Sequence, residues 1–165
     1  MIITLTSSDS QSFPVEREVL KHAGTIETLI SAMGLDDTDM DTSALPIPLP
    51  KVTGKALEQV VKWLEQHKGD AAYVEKDADA EKRTDDIPEW DLAFLSNFAA
   101  SDVLAIMLAA NYLDIKLLLE LCIKHTAHAI KYKTRDELRE YFDIENDYSP
   151  EEEEQIIKEN AWCEN

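Results

Sequence analysis

An α/β fold of the α+β kind, with a small N-terminal sheet and helices extended by further helices at the C-terminus, is what this sequence predicts. Three observations predict it. A β-rich run, IITLT at 2–6, opens the chain; apolar residues recur at helical spacing through 53–67 and again after 101; and two helix-capping signatures, TRDE and SPEE, stand in the last third.

The turn residues SSDSQ separate the first run from SFPV, which together predict a hairpin. Two short helices follow in VEREVLKHA and TIETLISAMG, where Val19, Ala23, Ile26, Leu29, Ile30 and Met33 keep helical spacing and Gly34 is a natural stop. Four aspartates within 36–41 mark a solvated loop, and PIPLP fits a short edge strand, because Pro46, Pro48 and Pro50 cannot donate to a ladder on both sides. A helix is expected from about Thr53 to His67, with Thr53 as N-cap and Val60, Val61, Trp63 and Leu64 inward. Residues 69–84 are charged and poor in large apolar groups, so ordering them costs more backbone entropy than burial returns, and they are expected to form a mobile insertion. From Ser101 the chain reads as helical. Its first half is apolar nearly all round, which predicts burial on several sides, and Asp114 is expected to start a new helix after a break at Tyr112 and Leu113. Thr134 with Glu137, and Ser149 with Glu152 and Pro150, should start the last two helices. The boundary between an N-terminal domain (1–130) and a helical extension (131–165) is placed just before the first of these.

Lys and Arg total 16 against 34 Asp and Glu, and the formal charge of −18 would repel phosphate backbones and anionic membranes, which argues against nucleic-acid or membrane partners. Two cysteines are too few for a disulfide framework, and the first ten residues carry neither a basic leader nor a long apolar run. These features predict a soluble, intracellular, thiol-reduced protein.

The chain closes on SPEEEEQIIKENAWCEN. Glutamates 151–154 occupy a first helical turn, where the helix dipole favours negative charge. That capping role, or a patch for a basic partner, accounts for the acids but not for Trp162, a large apolar residue near a terminus. Ile156, Asn160 and Cys163 fall near one face, Ile157 and Ala161 on an adjoining one, with Trp162 between. The stripe either folds back on the preceding helices or meets a partner, and the pattern leaves both open. Leu138, Tyr141, Phe142 and Ile144 form a second such surface on a helix too short to build its own core.

RTDDIPEWD (83–91), LAANYLDIK (108–116) and FDIENDYSPEEEEQIIKENAWC (142–163) closely resemble the signature stretches of the Skp family, the S-phase-kinase-associated adaptors of cullin-based (SCF) ubiquitin ligases. The similarity covers essentially the whole chain. It implies a BTB/POZ-type fold that binds a cullin, extended by helices that interlock with F-box proteins, and hence a non-catalytic adaptor without cofactors in a protein-degradation pathway of cytoplasm and nucleus. By the same resemblance Met107, Asn111 and Tyr112 are cullin contacts. Leu119, Ile123, Thr126, Ile130, Leu138, Phe142, Ile144, Asn160 and Trp162 would be the F-box surface, and Pro150 matches a position that is hydroxylated and glycosylated in some relatives. A tryptophan buried by another protein would explain the chain's last residues.

Departures from the family pattern fall near these positions. Leu104 and Ala105 replace a Phe-Glu pair, Arg135 replaces a proline, Tyr132 a small residue, and His125 and His128 stand where many relatives have neutral residues. Catalytic readings find little support. Cys122, His125 and His128 spread over about 120° of a helix, so no more than two could share a metal. There is no G-x-S-x-G and no phosphate-cradling glycine loop, and Cys163 has glutamates nearby that would raise its pKa. The alternative class is a stand-alone BTB-type scaffold that self-associates; a homodimer of the free protein belongs to that reading.

Overall fold

The computed structural model describes residues 2–33, 46–71, 73 and 85–164, with side chains through Trp162. The aspartate loop, Gly34 and most of the 69–84 insertion therefore lie outside the described residues, as does the Cys163 side chain. The chain divides into two compact units, Met1–Ala129 and Ile130–Asn165.

Strand β1 (Ile2–Ser7) lies at the centre of a three-stranded sheet. It pairs antiparallel with β2 (Ser12–Glu16), Ile3 opposite Val15 and Leu5 opposite Phe13, and parallel with β3 (Ile47–Leu49), Leu5 opposite Ile47. Alternation puts Ile3 and Leu5 into the core and leaves Ile2 exposed. The proline-rich strand takes an edge, as its missing N–H groups require.

A 3-10 turn (Arg17–His22) and helix α1 (Gly24–Ala32) follow, so the first of the two expected helices is a tighter, shorter element. Of the apolar residues at helical spacing, Ile26 and Ile30 are buried, whereas Leu29 and Met33 are exposed. Helix α2 (Gly54–Gln66) starts where expected. Thr53 accepts from the Ala56 N–H, and Asp9 of the hairpin turn accepts from the Gly54 N–H at 2.8 Å, so two of its free N-terminal donors are satisfied. Val60, Trp63 and Leu64 are fully buried and Val61 partly so.

Helix α3 (Glu89–Leu95) was not expected from the pattern. It lacks a side-chain N-cap, and a distant contact holds it: the buried Asp91 carboxylate accepts from Trp63 Nε1 at 2.7 Å and meets His67 Nε2 at 3.2 Å. His67 stacks on Trp63, Trp90 meets the His67 ring edge-on, and Phe94 stacks on Trp90. The Asp91 carboxylate is thus held in the first-unit core through Oδ1 by Trp63 of α2 and by His67, which follows it.

Helix α4 (Ala100–Tyr112) and helix α5 (Lys116–Ile130) are separated at Leu113 to Ile115, a little later than expected. Asp114 does not cap α5. It takes a left-handed conformation (φ 54°) and closes α4, with the Ile115 N–H bonded to the Ala110 carbonyl and the Asp114 N–H to the Asn111 carbonyl. This turn also receives α1, whose Gly24 and Thr25 N–H groups bond to the Asp114 and Leu113 carbonyls while Thr25 Oγ1 donates to the Tyr112 carbonyl. No single helix among the described residues is long and apolar enough to cross a membrane.

The second unit holds helix α6 (Arg135–Phe142), helix α7 (Pro150–Glu159) and a 3-10 turn (Ala161–Glu164). Both expected capping boxes form, Thr134 with Glu137 and Ser149 with Glu152, and Pro150 occupies the first turn of α7. The terminal stripe is not one continuous helix: α7 ends at Glu159 with Asn160 as cap, and Trp162 rides on the separate turn.

Candidate partner-binding surfaces

On α4, the buried residues Val103, Ile106, Ala109 and Ala110 define the inner face, and the end of the helix presents what remains. Asn111 is exposed. Tyr112 is half-buried against the core with the Lys51 ammonium 5.9 Å from its ring centroid, and Met107 is likewise partly buried against the core. Of the three expected cullin contacts, Asn111 is exposed and the other two are partly covered. The structure adds Leu108, 69% exposed one turn before Tyr112, an outward apolar residue in a stretch expected to be buried on several sides. Its spacing of three from Asn111 was the available signal; an all-apolar stretch hides it, because no periodicity tells which side faces water. Leu104 and Ala105, at the position of the usual Phe-Glu pair, are half-buried.

On α5, Leu119, Ile123, Thr126 and Ile130 recur at intervals of four, three and four, which sets them in one row. Leu119 packs partly against the first-unit core, Ile123 is exposed, and Thr126 is half-buried with its hydroxyl lacking a partner among the described residues. Ile130, the first residue of the second unit, is half-buried.

Within the second unit no residue of α6 or α7 is fully buried. Leu138 and Phe142 are half-covered, with the Tyr141 ring edge-on to Phe142 at 4.9 Å. Ile144 is exposed, its N–H bonded to the Arg139 carbonyl past a left-handed Asp143. Ile156 and Ile157 are exposed, Asn160 is exposed with its side chain bonded back to the Ile156 carbonyl, and Trp162 is 74% exposed. Pro150 is exposed as well.

The polar groups that could suggest catalysis are differently placed. Cys122 is fully buried, and desolvation, with a smaller contribution from the Asp91 charge, pushes its thiol up to about 12, so it holds no thiolate at neutral pH. Burial, followed by repulsion from His128, holds His125 below the ordinary histidine range. Among the described residues no three His, Cys, Asp or Glu side chains are grouped to hold a metal.

A small mixed sheet backed by helices, followed by helices rich in exposed apolar side chains, is a BTB/POZ-type fold with a helical extension. The chain belongs to the Skp1 family: residues 1–69 match the family's POZ-type tetramerisation domain and residues 116–163 its dimerisation domain. It is 47% identical to a Skp1-related protein of Caenorhabditis elegans, over 98% of this chain and 91% of the relative. It is 42% and 41% identical to the E3 ubiquitin ligase complex SCF subunit sconC of Arthroderma benhamiae and of Talaromyces marneffei, over 98% of this chain and 94% and 96% of theirs.

Proposed function

We propose that this protein is the non-catalytic adaptor of an SCF-type ubiquitin ligase in cytoplasm and nucleus, holding a cullin with one surface and an F-box protein with another. The observation that carries the reading is the set of large apolar side chains left uncovered at two kinds of place, Leu108 beside Asn111 on α4, and Ile123, Ile144 and Trp162 on α5 and in the second unit. An exposed tryptophan costs a soluble protein hydration free energy unless a partner covers it. Near-full-length similarity to proteins named as SCF subunits supports the same reading.

In this reading Asn111, Leu108 and the accessible edges of Tyr112 and Met107 meet the cullin. Leu119, Ile123, Thr126, Ile130, Leu138, Phe142, Ile144, Asn160 and Trp162 meet the F-box, and the Thr126 hydroxyl gains a hydrogen-bond partner from it. Pro150, exposed at a helix start, is accessible to a hydroxylase. Co-expression with an F-box segment and with the N-terminal helices of a cullin tests the proposal. A soluble complex with one copy of each is expected, and Leu108→Lys with Asn111→Lys should release the cullin alone, because a charge placed against an apolar partner costs several kcal/mol. A stable homodimer that ignores both partners would favour the self-associating scaffold instead.

A further inference from the structure

The four-glutamate run divides its work. Glu152 closes the capping box, its carboxylate accepting from the Ser149 N–H at 2.9 Å, and Glu154 pairs with Lys158 one turn on at 2.9 Å. Among the described residues, Glu153 alone of the four has a partner on another helix. Its Oε1 lies 2.9 Å from Arg139 Nη1 and 3.1 Å from Arg135 Nη2 of α6, and accepts from Asn146 Nδ2 of the connecting segment at 3.5 Å. The cations are themselves braced, Arg139 to Asp136 at 3.1 Å and Arg135 to Asp136 at 3.3 Å. The Arg139 and Glu153 side chains are 19% and 25% exposed, while α6 and α7 bury no apolar residue completely.

Where no apolar core fixes two helices, a partly desolvated network with shared charges is the strongest directional contact left. We propose that Glu153 is a positioning residue for partner binding: its bonds to Arg139, Arg135 and Asn146 set α7, and with it Ile156 and the Trp162 turn, in a fixed orientation against α6. The binding arm of this inference rests on the F-box reading above. Arg135 adds a second guanidinium to the same Glu153 oxygen.

The network is open enough to solvent for salt to screen it, and the predicted signature follows. F-box segment binding and amide hydrogen exchange are measured on the full chain at 50 and 500 mM NaCl for Glu153→Gln, Arg135→Pro and, as the matched charge control, Glu154→Gln. Glu153→Gln should weaken F-box binding about 3- to 10-fold at low salt, speed exchange across residues 150–162, and flatten the salt response of both, with cullin capture unchanged. Arg135→Pro should give a smaller change in the same direction. Glu154→Gln should stay within about 2-fold, because it breaks only a contact inside α7. If Glu153→Gln and Glu154→Gln behave alike in affinity and in exchange, the positioning role is wrong. If exchange responds to Glu153→Gln while neither it nor Trp162→Ala alters F-box affinity, the positioning of α7 stands and the F-box reading fails.

Discussion

Replacing Trp162 with alanine separates a binding anchor from a core residue. A tryptophan offers about 250 Å² of accessible surface at most, and 74% of this one is exposed, so a partner has about 185 Å² to cover. At about 25 cal/mol/Å² this is worth at most about 4.6 kcal/mol, and ordering the terminal turn takes part of it back. Truncation should therefore cost about 2–4 kcal/mol of F-box affinity, a factor of about 30 to 700 in Kd. The free protein should not notice: a surface substitution changes stability by less than about 0.5 kcal/mol and the melting temperature by no more than about 2 °C. Isothermal titration with an F-box segment gives the first number, and thermal melting followed by circular dichroism gives the second. The cullin serves as internal control, since its expected contacts lie on α4. A melting temperature lowered by several degrees, with both partners lost together, would refute the reasoning and make Trp162 part of the protein's own core.

Three other predictions follow from the structure alone. Asp91→Leu leaves the buried Trp63 indole N–H without its acceptor and should destabilise by about 2–3 kcal/mol, lowering the melting temperature by about 5–10 °C; adding Trp63→Phe should cost less than the sum of the single changes, and strict additivity would show that the bond is not the cause. Gly24→Ala, a change that at most reduces unfolded-state entropy at this first helical position, should give no gain because the new Cβ runs into the Asp114 carboxylate, whereas the same change on an Asp114→Gly background should be less destabilising in a thermal melt. Glu137, Glu152 and Glu153 are held below the ordinary glutamate range, chiefly by the Thr134 N–H, the Ser149 N–H and the Arg139 guanidinium in turn. Their native state therefore binds fewer protons than the unfolded one, so their contribution is fully present above the ordinary glutamate range and is lost as the pH falls through the depressed values; amide exchange in α6 and α7 should be flat from pH 7 to about 5, once corrected for intrinsic rates, and accelerate only below it, and loss of protection near neutral pH would contradict this.

What the sequence by itself determined is what a few neighbouring residues decide. Thr53, Thr134 and Ser149 were legible as helix starts because an N-cap hydroxyl and the backbone N–H it accepts from lie within three residues, and the edge strand at Ile47–Leu49 because proline lacks a donor wherever it stands. The expected contact positions on α4, α5 and in the second unit came from motif resemblance alone, which does not say which of them look outward. Only tertiary structure decided that Leu108 faces solvent while Tyr112 is half-covered, since an α4 apolar on all sides carries no period and its packed neighbours choose the face. It also decided that a helix begins at Glu89, where no local cap announces one and Asp91 is held by an indole 28 residues away. Asp114 shows the same limit. As a local signal it reads as the start of a helix, yet its left-handed turn ends one, because its backbone is fixed by α4 on one side and by the incoming N–H groups of α1, some 90 residues earlier in the chain, on the other.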